Sequence, residues 1–131
     1  MQALDSNVLI RYLVRDHPAQ SRQAAQIIER AQQNQERLFL SLFVLCETFW
    51  VLDYTYKQTR SAIADVIDEI LETPVFEVEH AALMRACILS YRTGRAGLAD
   101  YVIGAVAERA GCAATVTFDR DLRRCPGFRV L

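Results

Sequence analysis

The chain has 131 residues and a net charge of −1, with 52% hydrophobic and 24% charged residues. That size and balance suit one soluble globular domain, 1–131, with enough apolar surface for a core, and exclude a largely disordered chain. No global field draws such a chain onto a polyanion, so any nucleic-acid binding must come from a local patch or a metal.

Fourteen of the fifteen basic residues are Arg, and Lys57 is the exception. Guanidinium forks suit phosphates, but a GC-rich coding sequence produces the same bias, so the pointer is weak. Cys46, Cys87, Cys112 and Cys125 form no C-x-x-C pair and no zinc-site spacing. Three of them lie in apolar or small-residue stretches and read as buried fillers, in keeping with a reducing, cytoplasmic setting. Asp5 and Arg11 interrupt the N-terminus before a signal-like apolar region forms. The most apolar run, Leu38 to Leu52, is too short to span a membrane and carries Glu47.

In chain order, the pattern predicts a short strand over QAL ending at Asp5, then a helix over SNVLIRYLV broken by Asp16 and Pro18. A second helix is expected from about Ala19 to Gln35, a buried strand over LFL at 38–40, and a helix capped by Ser41 and reaching about Tyr56. Ile63, Val66, Ile67, Ile70 and Leu71 mark the stripe of a helix capped by Thr59 or Ser61 and stopped by Pro74. VFEV at 75–78 reads as a strand. Helices follow from His80 to about Thr93 and from 98 to 110, with Gly111 as stop signal, and short strands at 114–117 and over FRVL. Short apolar strands alternating with helices predict an α/β fold with a mainly parallel sheet, where ligands bind beyond the carboxyl ends of the strands.

Four acids stand in apolar surroundings near those ends: Asp5 in ALDSNVLI, Glu47 in VLCETFWVL, Asp100 in AGLADYVIGAVA and Asp119 in TFDRD, with Asp121 close behind. No Lys or Arg lies within three residues of Asp5, Glu47 or Asp100. A buried carboxylate needs a partner, and a divalent cation serves several converging acids at once. Taken singly, Asp5 or Asp119 reads equally as a helix cap and Glu47 as an exposed helix residue. Oxygen ligands without a His or Cys cluster select Mg²⁺ or Mn²⁺, which suits phosphoryl chemistry. His17 and His80 sit at helix starts and read as surface residues, there is no natural Ser-His-Asp triad, and GRAG at 94–97 lacks phosphate-loop spacing.

LDSNVLIRYL, CETFWVL, LADYVIGAVA and TVTFDRDL, in that order and spread over the whole chain, resemble the four acidic blocks of PIN-domain ribonucleases. The small single-domain size is similar to that of VapC-type toxins of bacterial toxin–antitoxin modules. The resemblance implies a three-layer α/β/α sandwich around a mainly parallel central sheet, and metal-dependent endoribonuclease activity on RNA. It implies Asp5, Glu47, Asp100 and Asp119 as catalytic acids, with Asp5, Asp100 and Asp119 holding one or two Mg²⁺ ions. Asn7 and Thr117 match supporting polar residues, and Asp121 an additional contact. Ser6 stands where the family often has Thr, which keeps the hydroxyl, and Tyr101 departs from the residue that often follows the third acid. The resemblance further implies a VapB-type antitoxin and a homodimer. The helix from Leu42 to Tyr56, rich in large apolar residues, is a candidate antitoxin groove or dimer surface, or a helix buried on two sides. An RNA-maturation nuclease and a non-catalytic PIN-like binding domain are the alternative expectations. A receiver-type signalling domain needs a Lys after a late strand, and Lys57 is in mid-chain.

Overall fold

A computed structural model describes residues 1–131. The elements run β1 (Gln2–Ala3), α1 (Ser6–Val14), α2 (Pro18–Gln33), β2 (Leu38–Leu40), α3 (Leu42–Tyr54), α4 (Arg60–Glu72), β3 (Phe76–Val78), α5 (Ala81–Thr93), α6 (Leu98–Arg109), β4 (Thr115–Thr117), a 3₁₀ turn (Arg120–Leu122) and β5 (Phe128–Val130). The α-helices and strands stand where the sequence pattern puts them, within a few residues, whereas that pattern does not anticipate the 3₁₀ turn. The chain forms two compact units, Met1–Ala81 and Ala82–Leu131.

The first unit is built on a parallel sheet in the order β1-β2-β3. Gln2 faces Leu38 and Ala3 faces Phe39, while Leu38, Phe39 and Leu40 face Phe76, Glu77 and Val78. Leu4 N–H to the Phe39 carbonyl and Glu79 N–H to the Leu40 carbonyl carry the pairing past the strand ends. Leu38 and Leu40 are buried, as are Leu9 of α1, Leu45 and Leu52 of α3, and Ile63 and Ile67 of α4. Arg37 and Glu77 form an ion pair across the start of β2 and β3.

Local chemistry sets the helix starts. Ser41 Oγ accepts from Val44 N–H at 3.1 Å, and Thr59 Oγ1 from Ala62 N–H at 3.1 Å, so Thr59 rather than Ser61 caps α4. Glu79, just beyond β3, accepts from Leu42 N–H at 3.0 Å, a carboxylate at the positive end of α3. His17 Nδ1 caps α2, whose first residue is Pro18.

The second unit joins β4 and β5 as a parallel pair, Thr115 to Thr117 facing Phe128 to Val130. Six helices and parallel strands, paired as β1-β2-β3 and β4-β5, make the α/β fold expected. With three residues or fewer apiece, the strands carry little pairing, and the helices supply most of the buried surface. Met84, Ile88, Tyr91, Leu98 and Val102 are among the buried residues of this unit. Gly104 lets α6 approach β5, since a Cβ there would stand 3.0 Å from the Phe128 ring. Gly111 ends the α6 region with φ +88°. Of the cysteines expected as fillers, only Cys87 is buried; Cys46 and Cys125 are half-buried and Cys112 is exposed.

The α4 stripe makes a direct stability test. Ile67 has no exposed surface, so Ile67→Ala removes apolar contacts and leaves a cavity. Urea denaturation should show a loss of about 2–5 kcal/mol.

Candidate active site

Asp5 occupies the N-cap position of α1, two residues past β1, yet its side chain makes no capping bond. Its carboxylate is exposed and accepts instead from Asn7 Nδ2 at 3.3 Å. Ser6, the first residue of α1, is buried, and its hydroxyl donates to Glu47 Oε2 at 2.6 Å across 41 residues of sequence. This bond ties the second turn of α3 to the turn after β1. Asp5, Ser6, Asn7 and Glu47 thereby form one linked group in the first unit. The signal for Ser6 in the sequence is its hydroxyl directly after Asp5 in LDSNVL.

In the second unit, Asp119 follows β4 by two residues, as Asp5 follows β1. Its N–H donates to Thr117 Oγ1 at 3.0 Å, and its Oδ1 accepts from Asp121 N–H at 2.9 Å. Thr117 thus holds the backbone of Asp119 rather than its carboxylate. Asp121 acts through its backbone, while its own side chain stands in solvent. Asp119 is a cap for the 3₁₀ turn as well as a candidate ligand, so its two readings coexist. Asp100 is the third residue of α6, and its Oδ2 accepts from Gly97 N–H at 3.1 Å.

Asp100 is half-buried, whereas Asp5, Glu47 and Asp119 are exposed. The argument from buried carboxylates therefore applies to Asp100 alone: apolar neighbours in sequence did not mean burial, because the other three acids stand at element ends or on an outward helix face. Burial pushes the Asp100 carboxyl above its usual 3.8; the Gly97 N–H pulls it down, and the charge of Asp119 raises it further. Burial and the charge of Asp100 also push up the Cys125 thiol. Sulfur beside this pair is held protonated, and the donors left are hard carboxylate oxygens.

That donor set fits a small divalent cation. Mg²⁺ is held through one or two carboxylates while keeping several waters, and a cation relieves the like-charge repulsion between Asp100 and Asp119. No three His, Cys, Asp or Glu side chains are grouped as a ready-made metal centre.

The α/β fold with parallel strands, the acids after β1 and β4, and their hydroxyl and amide supports define a class. The PIN domain model matches residues 3–127, and the chain belongs to the PIN domain family. Within that class, the chain is similar to a protein named VapC ribonuclease from Aquifex aeolicus (strain VF5). The two are 28% identical over 131 residues, which cover all of this chain and 96% of that protein. No solved structure matches the chain.

The raised Asp100 carboxyl has a sign. The folded state holds this proton more tightly than the unfolded one, so stability falls as pH rises from 3.8 through the folded value. In EDTA, Asp100→Asn keeps the acceptor for Gly97 and removes the charge. Its melting temperature at pH 7 should equal or exceed that of the wild type, and the gap should narrow as pH falls toward 3.8. Thermal melts at several pH values check both.

Proposed function

We propose that the chain is a Mg²⁺-dependent endoribonuclease, with Mn²⁺ as a possible substitute, and the toxin of a toxin–antitoxin module. In this reading, 1–131 is one nuclease domain that works in the cytoplasm. Membership of the PIN family and similarity to a VapC ribonuclease support it. The observation that carries it is the match of the PIN domain model to residues 3–127, a span that includes Asp5, Glu47, Asp100 and Asp119.

In this proposal Asp100 and Asp119, joined by Asp5, hold the metal. When bound, the cation offsets charge on the phosphodiester and makes water a better nucleophile near neutral pH. Asn7 and Thr117 orient Asp5 and Asp119 through the hydrogen bonds described above. Glu47, held by Ser6, orients the attacking water and accepts its proton. The water oxygen bonds to phosphorus in line as Glu47 takes its proton, the bond from phosphorus to the 3′ oxygen breaks, and that oxygen takes a proton from solvent water. The products carry a 5′-phosphate and a 3′-hydroxyl. Asp121 makes an additional contact at the metal side.

The partner surface in this reading is α3. The helix is apolar on nearly all sides, and Phe43, Trp50 and Tyr54 are exposed, with Trp50 and Tyr54 stacked at 5.6 Å. Burial on two sides does not account for it. A VapB-type antitoxin or a second copy of the chain would cover these rings. No helix is long and apolar enough to cross a membrane.

Purified protein should cut single-stranded RNA with Mg²⁺ or Mn²⁺ and fall silent in excess EDTA. Undiminished cleavage in EDTA would reject the metal-dependent reading. Glu47→Gln should lower kcat by about a hundredfold or more while still co-purifying with an antitoxin. Ser6→Ala should lower kcat by about tenfold, because the carboxylate survives but is no longer held. Cleavage by Glu47→Gln at the wild-type rate would remove Glu47 from the catalytic acids.

A further inference from the structure

The first unit contains a cavity of about 690 Å³ between α1, α2 and β1. Its floor is apolar, including half-buried Val8 and Ile27, which is 41% exposed despite lying on a helix with a well-formed buried face. Its walls carry amide side chains: Gln2, Asn7, Gln23 and Gln26. Arg11 and Arg30 supply two cations against one acid, Glu36. Arg11 is already engaged, by Asp16 at 2.9 Å and by Gln20 at 2.8 Å. Arg30 has no carboxylate at ion-pair distance.

We propose that this cavity binds one nucleotide of single-stranded RNA beside the phosphodiester that is cut, with Arg30 on a phosphate. The inference rests on the nuclease reading and names how the substrate is held. An apolar floor with a few polar groups around it is the usual form of a small-ligand site, and the volume lies in the ordinary range. Carboxamides present both donors and acceptors, which matches base edges. An unpaired guanidinium matches a phosphate. An unpaired nucleotide can enter a cavity of this size, whereas a duplex keeps its bases stacked within the helix. Asn7 links the two features, since it lines the cavity and donates to Asp5. A nucleotide seated there has its neighbouring phosphate next to a proposed catalytic acid.

The test measures binding without cleavage. The full chain in EDTA is titrated with a fluorescein-labelled, mixed-sequence single-stranded RNA decamer and with its duplex, by anisotropy at several salt concentrations. Arg30→Ala should weaken single-strand binding by about tenfold and reduce the salt slope by roughly 0.7. Arg22→Ala removes the same charge from an exposed α2 position outside the cavity and should change neither. In Mg²⁺, Arg30→Ala should raise KM with kcat unchanged. Equal losses for the two variants, or a duplex bound as tightly as the single strand, would overturn the cavity assignment. Absence of cleavage by the wild type in Mg²⁺ would count against the nuclease reading instead, and the binding comparison would stand by itself.

Discussion

The hydrogen bond from the Ser6 hydroxyl to the Glu47 carboxylate is the contact on which the placement of the first unit's acids depends. It is short, it ends on a charge, and its donor is buried, so it is among the stronger kinds of side-chain contact. It joins the turn after β1 to α3, two segments 41 residues apart. Two other features bring them within reach. The parallel pairing of Gln2 and Ala3 with Leu38 and Phe39 aligns the strand ends, and the caps of Ser41 and Glu79 start α3 directly after β2. Without those constraints Glu47 would be an ordinary exposed helix residue.

The second unit repeats this logic with backbone donors. Asp119 and Asp100 each sit at the start of a helical segment and each accept an N–H that has no partner within the helix. This geometry gives the carboxylates fixed directions at little cost in stability. It also leaves an electrostatic conflict at Asp100, where burial opposes ionisation and a neighbouring carboxylate adds repulsion. Such a conflict is tolerable in a marginally stable fold when a ligand removes it. Cys125, whose thiol is discouraged from ionising in the same surroundings, adds no competing soft ligand.

Charge elsewhere is spent locally. Asp16 takes a hydrogen bond from the Tyr56 hydroxyl and an ion pair from Arg11, and its carboxyl lies below the usual range for those reasons. Arg37 pairs with Glu77. A chain with nearly balanced charge has no long-range field, so local exceptions such as the unpaired Arg30 stand out as places where a polyanion can be held.

Most of the fold was legible in the sequence because it is encoded locally. The period of Ile63, Ile67 and Ile70, the caps Ser41 and Thr59, and the stops at Pro74 and Gly111 act within a few residues of themselves. The order of acidic blocks was legible too, and with it the family. The reading failed where the answer depends on distant segments. Apolar neighbours suggested that all four acids are embedded, yet only Asp100 is half-buried, and of the four cysteines only Cys87 is buried. The sequence by itself determined the elements, their order and the residue types at their ends, since propensity and capping are short-range. Only the tertiary structure decided that Ser6 holds Glu47, that Asp100 is half-buried and that Arg30 lacks an ion-pair partner. Those facts depend on solvent exclusion and on distances between groups far apart in the chain.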